Sequence, residues 1–317
     1  MIDLSVKWAV VAAVAWLLTR RVTPAHAAAA HRLWLAVLVA PLAWGGGELL
    51  FAPVAFVRLR PGLFSDSLGS ALQATSALVF PVYLAGAAML LARTIADAWS
   101  VHRLTRSTGK LSGQDRLRIR RSVGDIAERV REGDREIPLT AGFVLPMIVL
   151  PAGWRSMPAA GLAAILHHEA AHVRRHDCAV ALACALLEAV FWFNPLVWIA
   201  SRQVRWFAEM ACDAEAARAM DRQAYAAELL SLAAGWSRAR RPQFAITAGA
   251  ETDVARRIRL LLDEIDHGWR RRALLPASAV VVLIAVLLAA PLRVGGQGSI
   301  ARATHVGAHP HLHSHGH

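Results

Sequence analysis

Four apolar runs rich in Ala, Leu and Val divide the chain. They cover residues 2–19, 33–57, 69–92 and 273–292. Because a helix of roughly 20 residues crosses the hydrocarbon core of a bilayer, the pattern predicts four transmembrane helices. Arg20 and Arg21 follow the first run directly. A signal peptide carries its positive charge before the apolar run, so we interpret the first run as a retained span.

Arginines near the ends of these runs predict the orientation in the cytoplasmic membrane. Arg20 and Arg21 lie between the first two runs, and Arg270, Arg271 and Arg272 precede the last. Cytoplasmic loops carry the excess of positive charge, so both groups are expected inside and both chain ends outside. The predicted parts are three N-terminal spans in 1–92, a cytoplasmic domain in 93–272, a fourth span in 273–292 and a short His-rich outer tail in 293–317.

Two local patterns lie at the start of the cytoplasmic part. Residues 115–133 space Arg and apolar residues as an amphipathic helix does, and its basic face is expected to contact solvent or lipid headgroups. Residues 135–151 are rich in β-branched residues and predict a short hairpin that turns at a Thr-Ala-Gly sequence. Because Pro146 cannot donate a ladder hydrogen bond, the second strand, 143–150, is expected at the sheet edge.

Composition supports a membrane protein with basic faces. The chain is 56% hydrophobic, with a mean hydropathy of +0.39 and a formal charge of +12. No helix-turn-helix pattern and no basic patch interleaved with aromatic residues accompanies this charge, so lipid is the expected partner and direct nucleic-acid binding is not. The cysteines, Cys178, Cys184 and Cys212, are too few and scattered for a disulfide framework and indicate a reducing compartment.

The stretch "AAILHHEAAHVRRHDC", residues 163–178, carries the strongest chemical signal. Residues four apart share a helix face, and His168 and His172 satisfy this spacing. Two imidazoles so placed can bind one zinc, while the adjacent Glu169 acts as a base toward a water in the open position. A frame that starts at His167 meets Ala171, and one that starts at His172 has Val in place of the base.

Catalytic zinc usually has a third protein ligand, and the sequence "RWFAEMACDAEAARAM" offers one. Glu209 and Asp213 are four apart there and share a helix face. Glu209 is therefore the candidate third ligand, with an ordinary helix-surface acid as the alternative interpretation. Residues 178–200 must not span the membrane, because His172 and Glu209 would then lie on opposite sides. We expect two antiparallel helices, 165–193 and 195–220, that are partly sunk in the membrane and turn at Pro195.

Four segments of the chain resemble a known family. They read "GFVLPMIVLP", "HHEAAHVRRHD", "FWFNPLVW" and "EMACD". They resemble the integral-membrane zinc metallopeptidases of the β-lactam sensor and signal-transducer type, the Bla and Mec receptors. More distantly they are similar to the HtpX and prenyl-protein CAAX metallopeptidases. The resemblance implies a mainly α, integral-membrane fold with about four transmembrane helices and a gluzincin-like zinc protease domain on the cytoplasmic side, which includes the short β-hairpin and edge strand.

The resemblance also assigns roles to individual residues. It implies that His168, His172 and Glu209 bind zinc, that Glu169 is the catalytic acid and base, and that Asp213 orients a ligand. It implies that the 143–150 strand receives the substrate, which it would contact through Phe143, Val144, Leu145 and Met147. Two departures stand out. The sensor receptors carry an extracellular penicillin-binding domain after the last span, where 25 residues follow here. Asn194 stands where the family often has His, so Asn194 receives no catalytic role.

The expected function is zinc-dependent hydrolysis of peptide bonds in the protein itself or in a cytoplasmic protein, for which a winged-helix repressor is the expected substrate. The alternatives are a signalling scaffold with a structural metal site, and a general quality-control protease of the membrane. An intact Glu169 favours proteolysis, since a structural site needs no base. The oxyanion donor is open among His167, His176 and Arg205. Asp177 belongs either to a polar turn with Arg174 and Arg175 or to the support of a ligand. The oligomeric state is also open, with a homodimer among the options.

Overall fold

The computed structural model describes residues 2–43, 66–239 and 248–266, which form a mainly helical protein with one small sheet. The helices are α1 (Ile2–Thr19), α2 (Ala27–Ala43), α3 (Asp66–Ser107), α4 (Gly113–Val123), α5 (Ala159–Arg175), α6 (Asp177–Val190), α7 (Pro195–Met220), α8 (Arg222–Ala239) and α9 (Ala248–Asp266). The strands are β1 (Gly109–Lys110), β2 (Val130–Gly133), β3 (Leu139–Ala141) and β4 (Met147–Pro151). Short 3-10 helices cover Pro24–His26, Gly124–Arg129 and Ala152–Ser156. The predicted fold class, mainly α with a short hairpin, is confirmed.

The first two helices pack on each other and on α7. The buried indole of Trp8 donates to the Val37 carbonyl over 2.9 Å, and that of Trp34 donates to the Thr19 hydroxyl over 3.0 Å. Buried indoles need such acceptors, and these contacts fix α1 against α2. His31 of α2 hydrogen-bonds through Nδ1 to the Val204 carbonyl at 3.0 Å. The apolar N-terminal helices therefore form part of the platform on which α7 lies.

Two stretches of the described chain are long and apolar enough to cross a membrane, Pro24–Leu42 and Leu78–Ser107, and Trp8–Thr19 is a shorter apolar helix. The predicted span 33–57 is described only as far as residue 43. The predicted span 273–292 and the tail 293–317 lie outside the described residues. The four-span topology therefore stays a prediction, while the apolar helices in the N-terminal part are observed.

Helix α3 is anchored to the turn that joins α6 to α7. The Trp192 indole donates to the Tyr83 carbonyl over 3.2 Å, and the Tyr83 hydroxyl donates to the Val190 carbonyl over 3.0 Å. Gly86 permits this contact, because a Cβ there would lie 2.5 Å from the Trp192 ring. An apolar helix with membrane-spanning length is thus packed against the turn that precedes α7.

The sheet has the order β1-β2-β4-β3. The predicted hairpin is confirmed, since β3 pairs antiparallel with β4 and places Thr140 opposite Ile148. Gly142 follows β3 with φ +103, a conformation that favours glycine, and a Cβ there would meet the Leu145 carbonyl at 2.7 Å. The hairpin is therefore closed by a tight turn that depends on this glycine.

The predicted position of the edge strand is wrong. Strand β4 is interior, because β2 pairs with it in parallel on the side away from β3. Pro146 lies just before β4, so its missing N–H is not needed in the ladder. Among the described strands it is β3 that ends this side of the sheet.

Strand β4 is interior because it pairs with β2, which lies in a stretch that the sequence predicts to be helical. The helix predicted over 115–133 ends at Val123, where Gly124 adopts φ +61. A 3-10 segment then leads into β2, whose Val130 is buried opposite Ile148. The apolar residues at 119 and 123 do face the core at helical spacing, but Ala127 packs from the 3-10 segment and Val130 from a strand.

The helix expected over 165–193 is two helices. His176 adopts φ 56 and breaks the chain between α5 and α6. The second of the two predicted helices, 195–220, is confirmed with its predicted bounds as α7, and Pro195 stands at its first position. The Asn194 side chain caps it by accepting a hydrogen bond from the Leu196 amide over 3.0 Å. Asn194 therefore has an observed structural role.

Candidate metal centre

Helices α5 and α7 run antiparallel and bring the predicted ligands together. Along α5, Ala164 packs near Ala216 and Ala217, whereas His168 and His172, further along the helix, meet the earlier residues of α7. The Nε2 atoms of His168 and His172 are 3.2 Å apart. One Glu209 oxygen lies 3.5 Å from His168 Nε2, and the other lies 3.5 Å from His172 Nε2. Three side chains from two helices thus surround one point, the glutamate with a different oxygen toward each ring.

This arrangement fits a zinc ion. Ligand bonds of about 2.0–2.2 Å at tetrahedral angles place neighbouring donor atoms about 3.3–3.6 Å apart. The three observed separations, 3.2, 3.5 and 3.5 Å, lie close to that range. The residue types also fit, because two imidazoles and one carboxylate are a ligand set that catalytic zinc takes, with a fourth position left open.

The opposite ring nitrogens support the same interpretation. His168 Nδ1 lies 3.1 Å from an Asp213 oxygen, and His172 Nδ1 lies 2.8 Å from an Asp177 oxygen. A carboxylate only accepts hydrogen bonds, so each Nδ1 carries a proton, and in the neutral ring the lone pair is then on Nε2. Two lone pairs that face each other at 3.2 Å repel unless a proton or a metal ion lies between them. Carboxylates behind zinc-binding histidines orient the rings in this way.

Residues from three helices hold the His168 side of the site. Arg257 of α9 donates to both oxygens of the buried Asp213 over 2.6 Å and lies 3.0 Å from a Glu209 oxygen. The Tyr225 hydroxyl of α8 donates to Asp213 over 2.7 Å. The paired fork of a guanidinium and a carboxylate is a strong, directional contact. It ties α9 to the helix that carries Glu209.

The His172 side is supported from nearby in the sequence. The Asp177 oxygen that faces His172 also accepts from Arg175 Nε over 3.1 Å, and the Cys212 thiol lies 3.4 Å from His172 Nδ1. The two interpretations open for Asp177 both apply, because it pairs with Arg175 in the turn and also contacts His172.

His172, Asp177 and Cys212 also come within metal-binding range of one another. Their distances suit hydrogen bonding better. The 2.8 Å from His172 Nδ1 to Asp177 is shorter than the roughly 3.3 Å between donors around a tetrahedral ion. In the metal-free protein, burial also raises the pKa of the Cys212 thiol. We interpret this group as the support of His172.

The charges of the site favour a cation. Burial opposes charge on the His168 ring, but Asp213 and Glu209 outweigh it and raise the pKa of His168. Burial likewise disfavours the charged form of Glu209, yet the His168 ring and Arg257 lower the pKa of this carboxyl. The carboxylates therefore stay ionised, and either a proton or a metal ion on the histidines balances them.

Glu169 lies beside the ligands without joining them. Among the described residues, the group of donors that surrounds the candidate ion consists of His168, His172 and Glu209. The Glu169 carboxylate accepts a hydrogen bond of 2.6 Å from the Thr140 hydroxyl of β3. A carboxylate next to a ligand and outside the ligand set has the position that a general base needs.

The ligands open into a cavity of about 830 Å³. Strand β3 forms one wall, and apolar residues of α8 and α9 form another, including Leu229, Val254 and Ile258. Of the three oxyanion donors left open, Arg205 lines this cavity, where it pairs with Glu188 over 3.0 Å. The predicted substrate contacts lie beyond the cavity wall. Phe143, Val144 and Leu145 form the hairpin loop, and Met147 begins β4.

Three residues of this site are not among the predicted site residues, although one of them falls within the predicted hairpin. Thr140, Tyr225 and Arg257 reach it from β3, α8 and α9. Arg257 is 44 positions from its partner Asp213, and Tyr225 is 57 positions from His168. Such distances exclude any local spacing rule, so only the tertiary fold identifies these residues.

Fold and site together define a mainly helical protein in which two histidines and a glutamate form a candidate metal centre. The sequence profile of the BlaR1 peptidase M56 family matches residues 67–261, more than half of the chain. The chain belongs to this family, and the predicted resemblance is confirmed. It is also 26% identical over 153 residues to the regulatory protein BlaR1 of Bacillus licheniformis, a match that covers 45% of this chain and 25% of that relative.

Proposed function

We propose that this protein is a zinc-dependent endopeptidase of the membrane that cleaves peptide bonds in signalling. The observation that carries the proposal is the convergence of two imidazoles and a carboxylate at 3.2–3.5 Å, with Glu169 next to them and outside the set. The peptidase family of the chain supports the same activity.

His168, His172 and Glu209 would hold the zinc, with Asp213 and Asp177 orienting the two rings. When bound, zinc supplies Lewis acidity, which polarises a substrate carbonyl and makes a nearby water more acidic. Glu169 takes the proton of the attacking water and later delivers it to the leaving amine. Arg205 lines the cavity and is the best placed of the three candidates to donate to the developing oxyanion.

The substrate would bind as an extended strand along β3. This strand flanks the cavity through Leu139 and Thr140, and it ends one side of the described sheet. Addition of a strand uses backbone hydrogen bonds and requires little of the substrate sequence. Val144 and Leu145, 83% and 71% exposed, would meet the substrate beyond the cavity, with Phe143 and Met147 nearby.

The substrate class follows from the proposed location. With the metal centre on the cytoplasmic side, the protein itself or a cytoplasmic protein such as a winged-helix repressor would be cut. The relative in Bacillus licheniformis is named a regulatory protein, which favours a role in signalling over general turnover. A scaffold with a structural metal would have no use for Glu169.

The test separates the metal from the base. In full-length protein in detergent, with the six tail histidines changed to Ala, we expect about one zinc per chain. Glu169→Gln should keep this zinc and lose about 100-fold to 10,000-fold in cleavage of a quenched fluorescent peptide, since positioned proton transfer contributes that much. The matched control is Glu136→Gln, at an exposed acid of the same domain, which should change neither.

Two outcomes would contradict the proposal. Full zinc content in a His168→Ala, His172→Ala double variant would show that the metal binds elsewhere. Wild-type cleavage by Glu169→Gln would favour the scaffold, in which the metal is structural and output comes from a contact.

The proposed orientation has its own test. If the arginines set the topology, an impermeant thiol reagent added to intact cells should label a Cys introduced at Ser314 and not one introduced at Ser237. The opposite labelling pattern would place the metal centre outside the cytoplasm.

A further inference from the structure

We infer that Thr140 is a positioning residue for Glu169, one that fixes the base from the strand along which substrate would bind. The inference rests on the proposed function and adds to it a residue of β3. Thr140 falls within the predicted hairpin but is not among the predicted site residues, and its side chain joins the sheet to the helix that carries His168 and His172.

The hydroxyl of Thr140 donates to the carboxylate of Glu169. Thr140 Oγ1 lies 2.6 Å from Glu169 Oε2 and 3.2 Å from the Glu169 backbone carbonyl. A hydroxyl has one proton, and O–H to carboxylate bonds are typically about 2.5–2.7 Å long. The shorter contact is therefore the donated one. It occupies a single carboxylate oxygen and leaves the other available to accept a proton.

The position of this hydroxyl is set by the sheet. Thr140 is the middle residue of β3 and lies opposite Ile148, which is fully buried. A β-branched side chain on a paired strand has few rotamers, so its hydroxyl is held in one place. Glu169 has a long, flexible side chain whose fixation costs conformational entropy. The rigid Thr140 side chain therefore holds the flexible Glu169 side chain in place.

The same residue belongs to the wall along which substrate would bind. Thr140 lines the cavity, and its backbone carbonyl accepts a hydrogen bond from the Cys178 thiol of α6 over 3.4 Å. The strand that contains Thr140 pairs with β4, whereas the Thr140 hydroxyl contacts Glu169. Loss of the hydroxyl should therefore impair the chemical step and leave binding of the peptide backbone intact.

The test uses two variants of full-length, zinc-loaded protein. Thr140→Val keeps the shape and removes the hydroxyl, and Thr140→Ser restores the hydroxyl. For a quenched fluorescent peptide, we expect Thr140→Val to lower kcat about 10-fold to 100-fold, the scale of a misplaced catalytic group. KM should change less than about 2-fold, because uniform binding is retained. Thr140→Ser should recover most of kcat, and all variants should keep their zinc.

Binding of acetohydroxamate gives a readout without turnover. It chelates a metal through two oxygens and gives its acidic proton to a nearby base, so its affinity depends on how that base is oriented. Calorimetry should show about 10-fold weaker binding to Thr140→Val, on the scale of one hydrogen bond to a charged group. In a Glu169→Gln background, Thr140→Val should have no further effect, because its action passes through Glu169.

Thr108→Val is the matched control. Its hydroxyl donates to the Thr105 carbonyl and lies 4.0 Å from the Met147 sulfur, so its loss should leave kcat unchanged. Wild-type kcat and acetohydroxamate affinity in Thr140→Val would overturn the inference and leave the proposed function standing. Equal losses in Thr140→Ser and Thr140→Val would also overturn it. A wild-type protein that holds no zinc and cleaves no peptide would overturn the proposed function first.

Discussion

The two histidines of the candidate metal centre are supported in different ways. Behind His168, both oxygens of Asp213 are engaged, since Arg257 holds the pair and Tyr225 adds a third contact. Behind His172, one Asp177 oxygen receives His172 and Arg175. The other Asp177 oxygen, Oδ1, is buried without a hydrogen-bond partner among the described residues.

This difference separates stability from metal affinity. The His168 support comes from α7, α8 and α9, and it buries a charged pair that must remain complete. The His172 support comes from the residues just after the ligand and from one thiol. A change behind His168 should therefore weaken the fold and the metal site together, while a change behind His172 should act mainly on the metal.

The largest effect is expected for Asp213→Asn. It leaves the Arg257 guanidinium, 13% exposed, with Glu209 as its remaining carboxylate. Removing one partner of a buried ion pair typically costs about 3–5 kcal/mol, because the other charge stays buried. We expect a loss of unfolding free energy of that order in chemical denaturation, together with weaker zinc retention.

The control for this change is Asp263→Asn, at an exposed acid on the helix that carries Arg257. It should leave stability and zinc unchanged. A stable Asp213→Asn protein would mean that Arg257 finds enough compensation in Glu209, and the contrast between the two sides would disappear.

A smaller effect is expected for Asp177→Asn. The amide still fills the space but removes the negative charge that faces His172 Nδ1 and Arg175. Loss of a carboxylate behind a metal ligand typically lowers metal affinity about 10-fold to 100-fold. Competition with a chelator should show this loss, while the unfolding free energy falls less than in Asp213→Asn. The reverse ranking would show that the His172 side is the structural one.

The same contrast explains how much of the centre the sequence predicts. His168, Glu169 and His172 lie on one helix, so the 3.6-residue period alone places them together. Asp177 lies five positions beyond His172, and the sequence therefore predicts the support of a ligand as one of its two possible roles. Arg257 reaches Asp213 only because α9 packs against α7, and no periodicity within either helix records that packing.

The errors in the predicted fold have a similar cause. Helix α7 has its predicted bounds because a proline and its cap mark the start locally. The helix expected over 115–133 is cut short because β2 finds a partner in β4, a pairing between distant segments. The predicted edge position of β4 is wrong for the same reason, since its place in the sheet depends on β2 as well as on the proline before it. A local signal therefore sets the start of α7, whereas pairing between distant segments decides where the predicted 115–133 helix gives way to β2 and where β4 lies in the sheet.

The smallest effect is expected for Tyr225→Phe. The Tyr225 hydroxyl donates to Asp213 Oδ1 over 2.7 Å. The same carboxylate oxygen of Asp213 also faces His168 Nδ1 at 3.1 Å and Arg257 at 2.6 Å. Because Asp213 keeps these partners, the loss should be close to that of one ordinary hydrogen bond, about 1 kcal/mol of unfolding free energy. Denaturation of Tyr225→Phe and Asp213→Asn side by side measures the difference. A loss in Tyr225→Phe as large as that in Asp213→Asn would show that the tyrosine, more than the Arg257 pair, organises the support of His168.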